Sequence, residues 1–137
     1  MSNYSAKELL KNFFSVLAGV VIAFAILISL AAFLLFADII PAGHTRTNEQ
    51  DLLVAEISFA ISIIIASVAA GYSTAKISTR QNWLHIIIAG IVFMVFLWYT
   101  HEFDFGFSDT WSYTFLLLVL PFTLLGGYFG LRKKNAD

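Results

Sequence analysis

Polar and apolar positions along this chain alternate in long blocks, not residue by residue. Apolar runs cover about 13–36, 53–75, 83–100 and 113–131, and polar stretches separate them. A helix rises 1.5 Å per residue, so about 20 apolar residues cross a hydrocarbon layer of ~30 Å. The third run, Trp83 to Tyr99, is at the short end of that range. The pattern predicts an all-α protein, an integral membrane four-helix bundle forming a single transmembrane domain over residues 1–137.

The second run sorts its side chains by size. Wound at 100° per residue, Ile57, Ile61, Ile64, Ile65, Val68 and Tyr72 fall on one arc. Ala55, Ser58, Ser62, Ala66, Ala69 and Ser73 fall on a second, and Glu56, Ala60, Ser67, Gly71 and Thr74 on a third. Lipid tails are as apolar as leucine, so membrane helices associate where small residues let backbones approach. Two small arcs call for two packed neighbours and one face toward lipid. The second helix is therefore expected at the centre of the bundle.

Local signals place the helix ends. Ser5 with Glu8 fits a capping box and starts a helix near Ala6. That helix is longer than the bilayer needs, so it tilts or lays its first turns along the surface. Ser15, Gly19 and Ala23 recur every fourth residue, as do Ala25 and Ser29, giving this helix a packing seam of its own. Pro41 and Gly43 stop it, and Thr47 with Gln50 caps the next. Pro121 predicts a kink in the fourth run, where Gly126 and Gly130 form a GxxxG pair.

Composition agrees with this picture. The chain is 59% hydrophobic and 12% charged, where soluble domains average about 45–50% and about 25%. The uncharged stretch Phe13 to Phe36 exceeds a signal-peptide core of about 7–15 residues, so a retained span is expected. The absence of cysteine removes disulfides and thiolate chemistry. A net charge of −1, with no basic stripe among aromatics, gives nucleic acid nothing to bind.

Charge sets the expected orientation. Lys7, Lys11, Lys76, Arg80, Arg132, Lys133 and Lys134 fall on one side of the four runs, and only Arg46 on the other. The acids Asp38, Glu49, Asp51, Glu56, Glu102, Asp104 and Asp109 fall on the Arg46 side or its boundary. By the positive-inside rule both termini are cytoplasmic, in a cell membrane, the inner one if the cell is bacterial.

The ends of the second and fourth runs echo each other, AAGYSTAK against LGGYFGLR. Duplication would relate two helical hairpins by an axis along the membrane normal, as in some transporters. Convergence gives the same echo, because any inward-ending helix gains a small-residue seam, an interfacial tyrosine and a cation. On either account the inner halves of these two helices should pack closely. Phe103, Phe105 and Phe107 alternate with polar residues in the second outer loop. Extended, they present three rings on one side, to the membrane surface or to a partner.

Few residues carry reactive chemistry. Glu56 is the one carboxylate inside an apolar helix, where an ionisable group is a functional candidate by default. Its depth puts it near the outer edge of the hydrocarbon, where water, Arg46 or a histidine can satisfy it. His101 and Glu102 join it as a candidate polar or ion site, with His44, Asp104 and Asp109 on the same side. No His-x-x-x-His or Glu-x-x-His spacing appears, so no metal or other cofactor is expected. His85 reads as an interfacial side chain at a helix end. No nucleophile elbow, phosphate loop or metalloprotease signature appears, and no enzyme is expected.

The functional expectation is a small multi-pass protein that works by helix–helix contact. It would serve as an accessory or assembly subunit, or as a homo-oligomer, with lipid and other membrane subunits as partners. Ser62, Ala66, Gly71, Gly126 and Gly130 are the expected packing residues. The alternative is a small transporter or channel whose outer acidic site around Glu56 attracts cations. Between Glu56 and Lys76 only hydroxyls offer polarity, which favours contact over transport.

Overall fold

In the computed structural model, which describes residues 5–36, 49–78, 83–101 and 109–134, the chain folds into four helices. These are α1 (Ala6–Phe36), α2 (Glu49–Ile77), α3 (Trp83–His101) and α4 (Asp109–Lys134). Three of them, α1, α2 and α4, are long and apolar enough to cross a membrane. The apolar part of α3, Trp83–Tyr99, is shorter.

The capping box forms as the sequence predicts. The Ser5 backbone N–H donates to Glu8 Oε2 and the Glu8 N–H donates to Ser5 Oγ, each at 3.3 Å. Two free donors at the helix start are thereby satisfied reciprocally. Thr47, the other predicted cap, and the outer loops with His44, Arg46, Glu102, Asp104 and the Phe103–Phe105–Phe107 triplet lie outside the described residues. α4 runs unbroken through Pro121, whose ring lies on the exposed side.

Consecutive helices are antiparallel. Gly19 of α1 meets Ala70 and Thr74 of α2, and Gly127 of α4 meets Ile86 of α3. α2 and α4 run parallel, since Gly126 meets Val68 while Gly130 meets Tyr72 and Ala75. α2 packs against all three other helices and shares its largest interface with α4. Its central place follows from its small arcs: Ser62, Ala66, Ser67, Ala70, Gly71 and Thr74 are buried, whereas Ile57, Ile61 and Ile65 are exposed.

Apolar side chains fill the half of the bundle that holds the end of α1 and the start of α2. Ala23, Leu27, Ile63, Phe93, Phe115 and Val119 are buried in one cluster. Phe24 of α1 stands edge-on to Phe93 and Phe96 of α3 at 5.3 and 5.4 Å, and Phe59 of α2 to Phe115 of α4 at 5.5 Å. Edge-to-face rings at such spacings add attraction beyond burial alone.

Of the two accounts of the echo, duplication would relate the hairpins by a two-fold axis, and the packing of the described residues does not follow one. Such an axis would make the α2–α3 and α1–α4 contacts equivalent. Among the described residues α2 packs on α3, but α1 and α4 do not touch. The hairpins instead lie side by side, α1 next to α3 and α2 next to α4. Small residues draw α2 and α4 together, and the broad outer face of α1 is left open.

Candidate functional site: the buried polar face of α2

Positions 56, 67, 74 and 78 share one side of a helix to within about 40°. They are Glu56, Ser67 and Thr74 of α2 and Ser78 just past its end, all buried. Glu56 is 3% exposed near the start of α2, and Ser67 and Thr74 are fully buried toward its end, hereafter the inner end. Glu56 therefore faces protein, as its place on a small-residue arc requires, and is not bathed by solvent. Its predicted companions are not in view: the His101 side chain and Glu102 fall outside the described residues. Among those residues no group of three His, Asp or Glu side chains is placed to hold a metal ion.

The inner end gathers more polar groups. α1 adds Asn12 and Ser15, both buried, about two turns and one turn before Gly19. Ser15 Oγ donates to the Asn12 carbonyl at 2.7 Å and Ser78 Oγ to the Ala75 carbonyl at 3.1 Å. Thr123 of α4 donates to the Val119 carbonyl at 2.7 Å, and Ser62 to the Ser58 carbonyl at 2.9 Å. Such bonds to the preceding turn let hydroxyls sit in apolar surroundings. Ser67 Oγ, Thr74 Oγ1 and His85 Nδ1 are buried without a hydrogen-bond partner among the described residues. Asn12 and Ser78 escape a reading by motif. The available signal is periodic: Asn12 extends the Ser15–Gly19–Ala23 seam back by one turn.

The glycines determine how tightly this face closes. A methyl group on Gly71 would overlap the Thr123 carbonyl oxygen and lie 2.8 Å from the Gly127 nitrogen. One on Gly126 would overlap the Val68 carbonyl, and one on Gly130 would lie 2.9 Å from the Tyr72 carbonyl. In this geometry glycine Cα–H groups face carbonyl oxygens on the neighbouring helix, a weak attraction repeated along the seam. Ser62 and Ala66 are buried on the other side of α2, away from this seam.

Between Glu56 and Ser67 the polar face is interrupted. Eleven residues span about 16 Å along a helix, and Ile63, Phe93 and Val119 are buried in the cluster that fills the bundle there. A carboxylate and a hydroxyl so far apart exchange no proton directly. The arrangement can fix helices against one another; among the described residues it offers no connected polar path. Comparison with known proteins gives no match: no protein family, no curated protein and no solved structure aligns with the chain.

Proposed function

We propose that this is a small multi-pass membrane protein that acts by helix–helix contact, as a homo-oligomer or as an accessory subunit of a larger membrane assembly. All four helices span the bilayer in this reading, α3 included, because nineteen residues reach about 28 Å. Both termini lie on the cytoplasmic face. The starts of α1 and α3 and the ends of α2 and α4 share one end of the bundle, which also carries the exposed cations Lys7, Lys11, Lys76, Arg132 and Lys133.

The observation that carries the contact reading is the unused seam on α1. The small arcs of α2 and the GxxxG pair of α4 are consumed inside the chain. On α1 the Ser15–Gly19–Ala23 seam is buried, but Ala25 and Ser29 are exposed. With Ile22, Ile26 and Leu30 they line a shallow apolar hollow. Ser29 Oγ donates to the Ala25 carbonyl at 2.6 Å, so the hollow presents no unsatisfied hydroxyl to lipid or to a neighbouring helix.

The chain has no cysteine, so a single Ser29→Cys change gives a clean cross-linking probe. In native membranes it should form a disulfide dimer or a defined adduct with another subunit. A cysteine at Leu117, 75% exposed on α4, should not. Equal cross-linking at both positions, or none at Ser29, overturns the reading. Burial of Glu56 is the one observation that favours the transport alternative, and the filled space between Glu56 and Ser67 weighs against it.

A further inference from the structure

We infer that the inner end of the α2–α4 seam is a binding site for the headgroup of an anionic phospholipid. The inference rests on the membrane reading above and adds a ligand class to it. On α2, Tyr72 precedes Lys76 by one turn; on α4, Phe129 precedes Lys133 by one turn. Residues four apart stand above one another on a helix, so each cation lies just beyond its ring. α2 and α4 run parallel with Gly130 against the Tyr72 backbone, which brings the two ring–cation pairs to the same level on adjacent helices.

The charges there have no internal use. Lys76 and Lys133 are exposed and form no ion pair among the described residues. Lys76 Nζ instead lies 5.7 Å from the centre of the Tyr72 ring, which holds the ammonium at the helix surface. Arg132 lies beside Lys133 and is also exposed. The one described carboxylate at this end, Glu8, accepts the Ser5 backbone N–H on α1. Above the cations, the half-exposed Phe129 and Tyr128 present apolar surface at the depth of an acyl chain.

A phosphodiester carrying a net negative charge fits this arrangement better than a zwitterion. Lys76 and Lys133 stand at one level on adjacent helices, no carboxylate among the described residues offsets them, and rings flank the path of the chains above. Each basic residue near an anionic surface contributes about fivefold in affinity, so losing both lysines should weaken binding about thirtyfold.

The test uses the full-length protein in mild detergent with phosphatidylglycerol or phosphatidylcholine added. Bound lipid is counted by native mass spectrometry and the melting temperature is measured alongside. Wild type should retain phosphatidylglycerol stoichiometrically and melt higher with it, and phosphatidylcholine or inorganic phosphate should do neither. Lys76→Gln with Lys133→Gln should lose about thirtyfold in retention, whereas Lys7→Gln with Lys11→Gln on α1 should lose less than about threefold. Equal retention of the two lipids, or equal loss in both double variants, overturns the site and leaves only diffuse attraction to a basic face. Should the Lys76/Lys133 variant fail to fold, wild-type retention must still fall steeply from 50 to 500 mM salt (about a Debye length of 14 to 4 Å), and a flat salt response overturns the site. Failure of the protein to stay in alkaline-washed membranes would overturn the membrane reading itself, which the lipid comparison does not address.

Discussion

The Cα of Gly71 on α2 lies so close to the carbonyl oxygen of Thr123 on α4 that a methyl group would overlap it. The obstructing atom is backbone held in a helix, so it cannot swing aside as a side-chain end can. Gly71→Val should therefore destabilise the bundle by about 3 kcal/mol, at the upper end of overpacking costs. Thermal unfolding in detergent reads this directly. Leu117→Val on the exposed face of α4 should shift stability by no more than about 0.5 kcal/mol. Equal melting of the two variants would contradict the α2–α4 packing.

Ser67 gives a prediction of opposite sign. Its hydroxyl is buried without a hydrogen-bond partner among the described residues. An unsatisfied buried polar group costs about 1–3 kcal/mol, and alanine is the better helix former. Ser67→Ala should leave the melting temperature unchanged or raise it. A clear drop would mean that the hydroxyl holds a partner, water included.

For Glu56 the contact reading predicts an uneventful change. Glu56→Gln keeps the shape and removes the charge from a side chain that is 3% exposed. Expression, folding and cross-linking through Ser29 should all persist. Loss of assembly or activity with folding intact would move the weight to an ion-binding role.

The capping box at the start of α1 is a local device, and its removal should be felt locally. The amides of Glu8 and Leu9 both donate to the Ser5 carbonyl, at 3.0 and 3.1 Å. Ser5→Ala should cost about 1 kcal/mol, which raises exchange of these first-turn amides about fivefold. Amides in the centre of α1 should be unaffected. Uniform acceleration along the helix would show that the cap does more than hold the end.

Much of the architecture was legible in the residues because helix formation, amphipathic arcs and caps depend on neighbours within about one turn. Ser5 and Glu8 announced the start of α1, and the bulky Ile57–Ile61–Ile65 arc announced the exposed side of α2. Ala89 and Gly90, the small pair in a bulky run, are both buried. The candidate site was legible only in part. Glu56 stands out by type, but nothing local says that Asn12, Thr74 and Ser78 gather at the opposite end.

The sequence by itself therefore determined four helices, read there as four spans of which the structure makes three long and apolar enough for a bilayer, and the grouping of small residues that lets α2 sit among the others. Only the tertiary structure decided which small faces are spent inside the chain and which remain open. It set the hairpins side by side in place of a two-fold pair, buried Gly71 and Gly126 against carbonyls and left Ala25 and Ser29 uncovered. The reason is physical: a small-residue stripe specifies that some backbone can come close, and which backbone arrives depends on how all four helices pack at once.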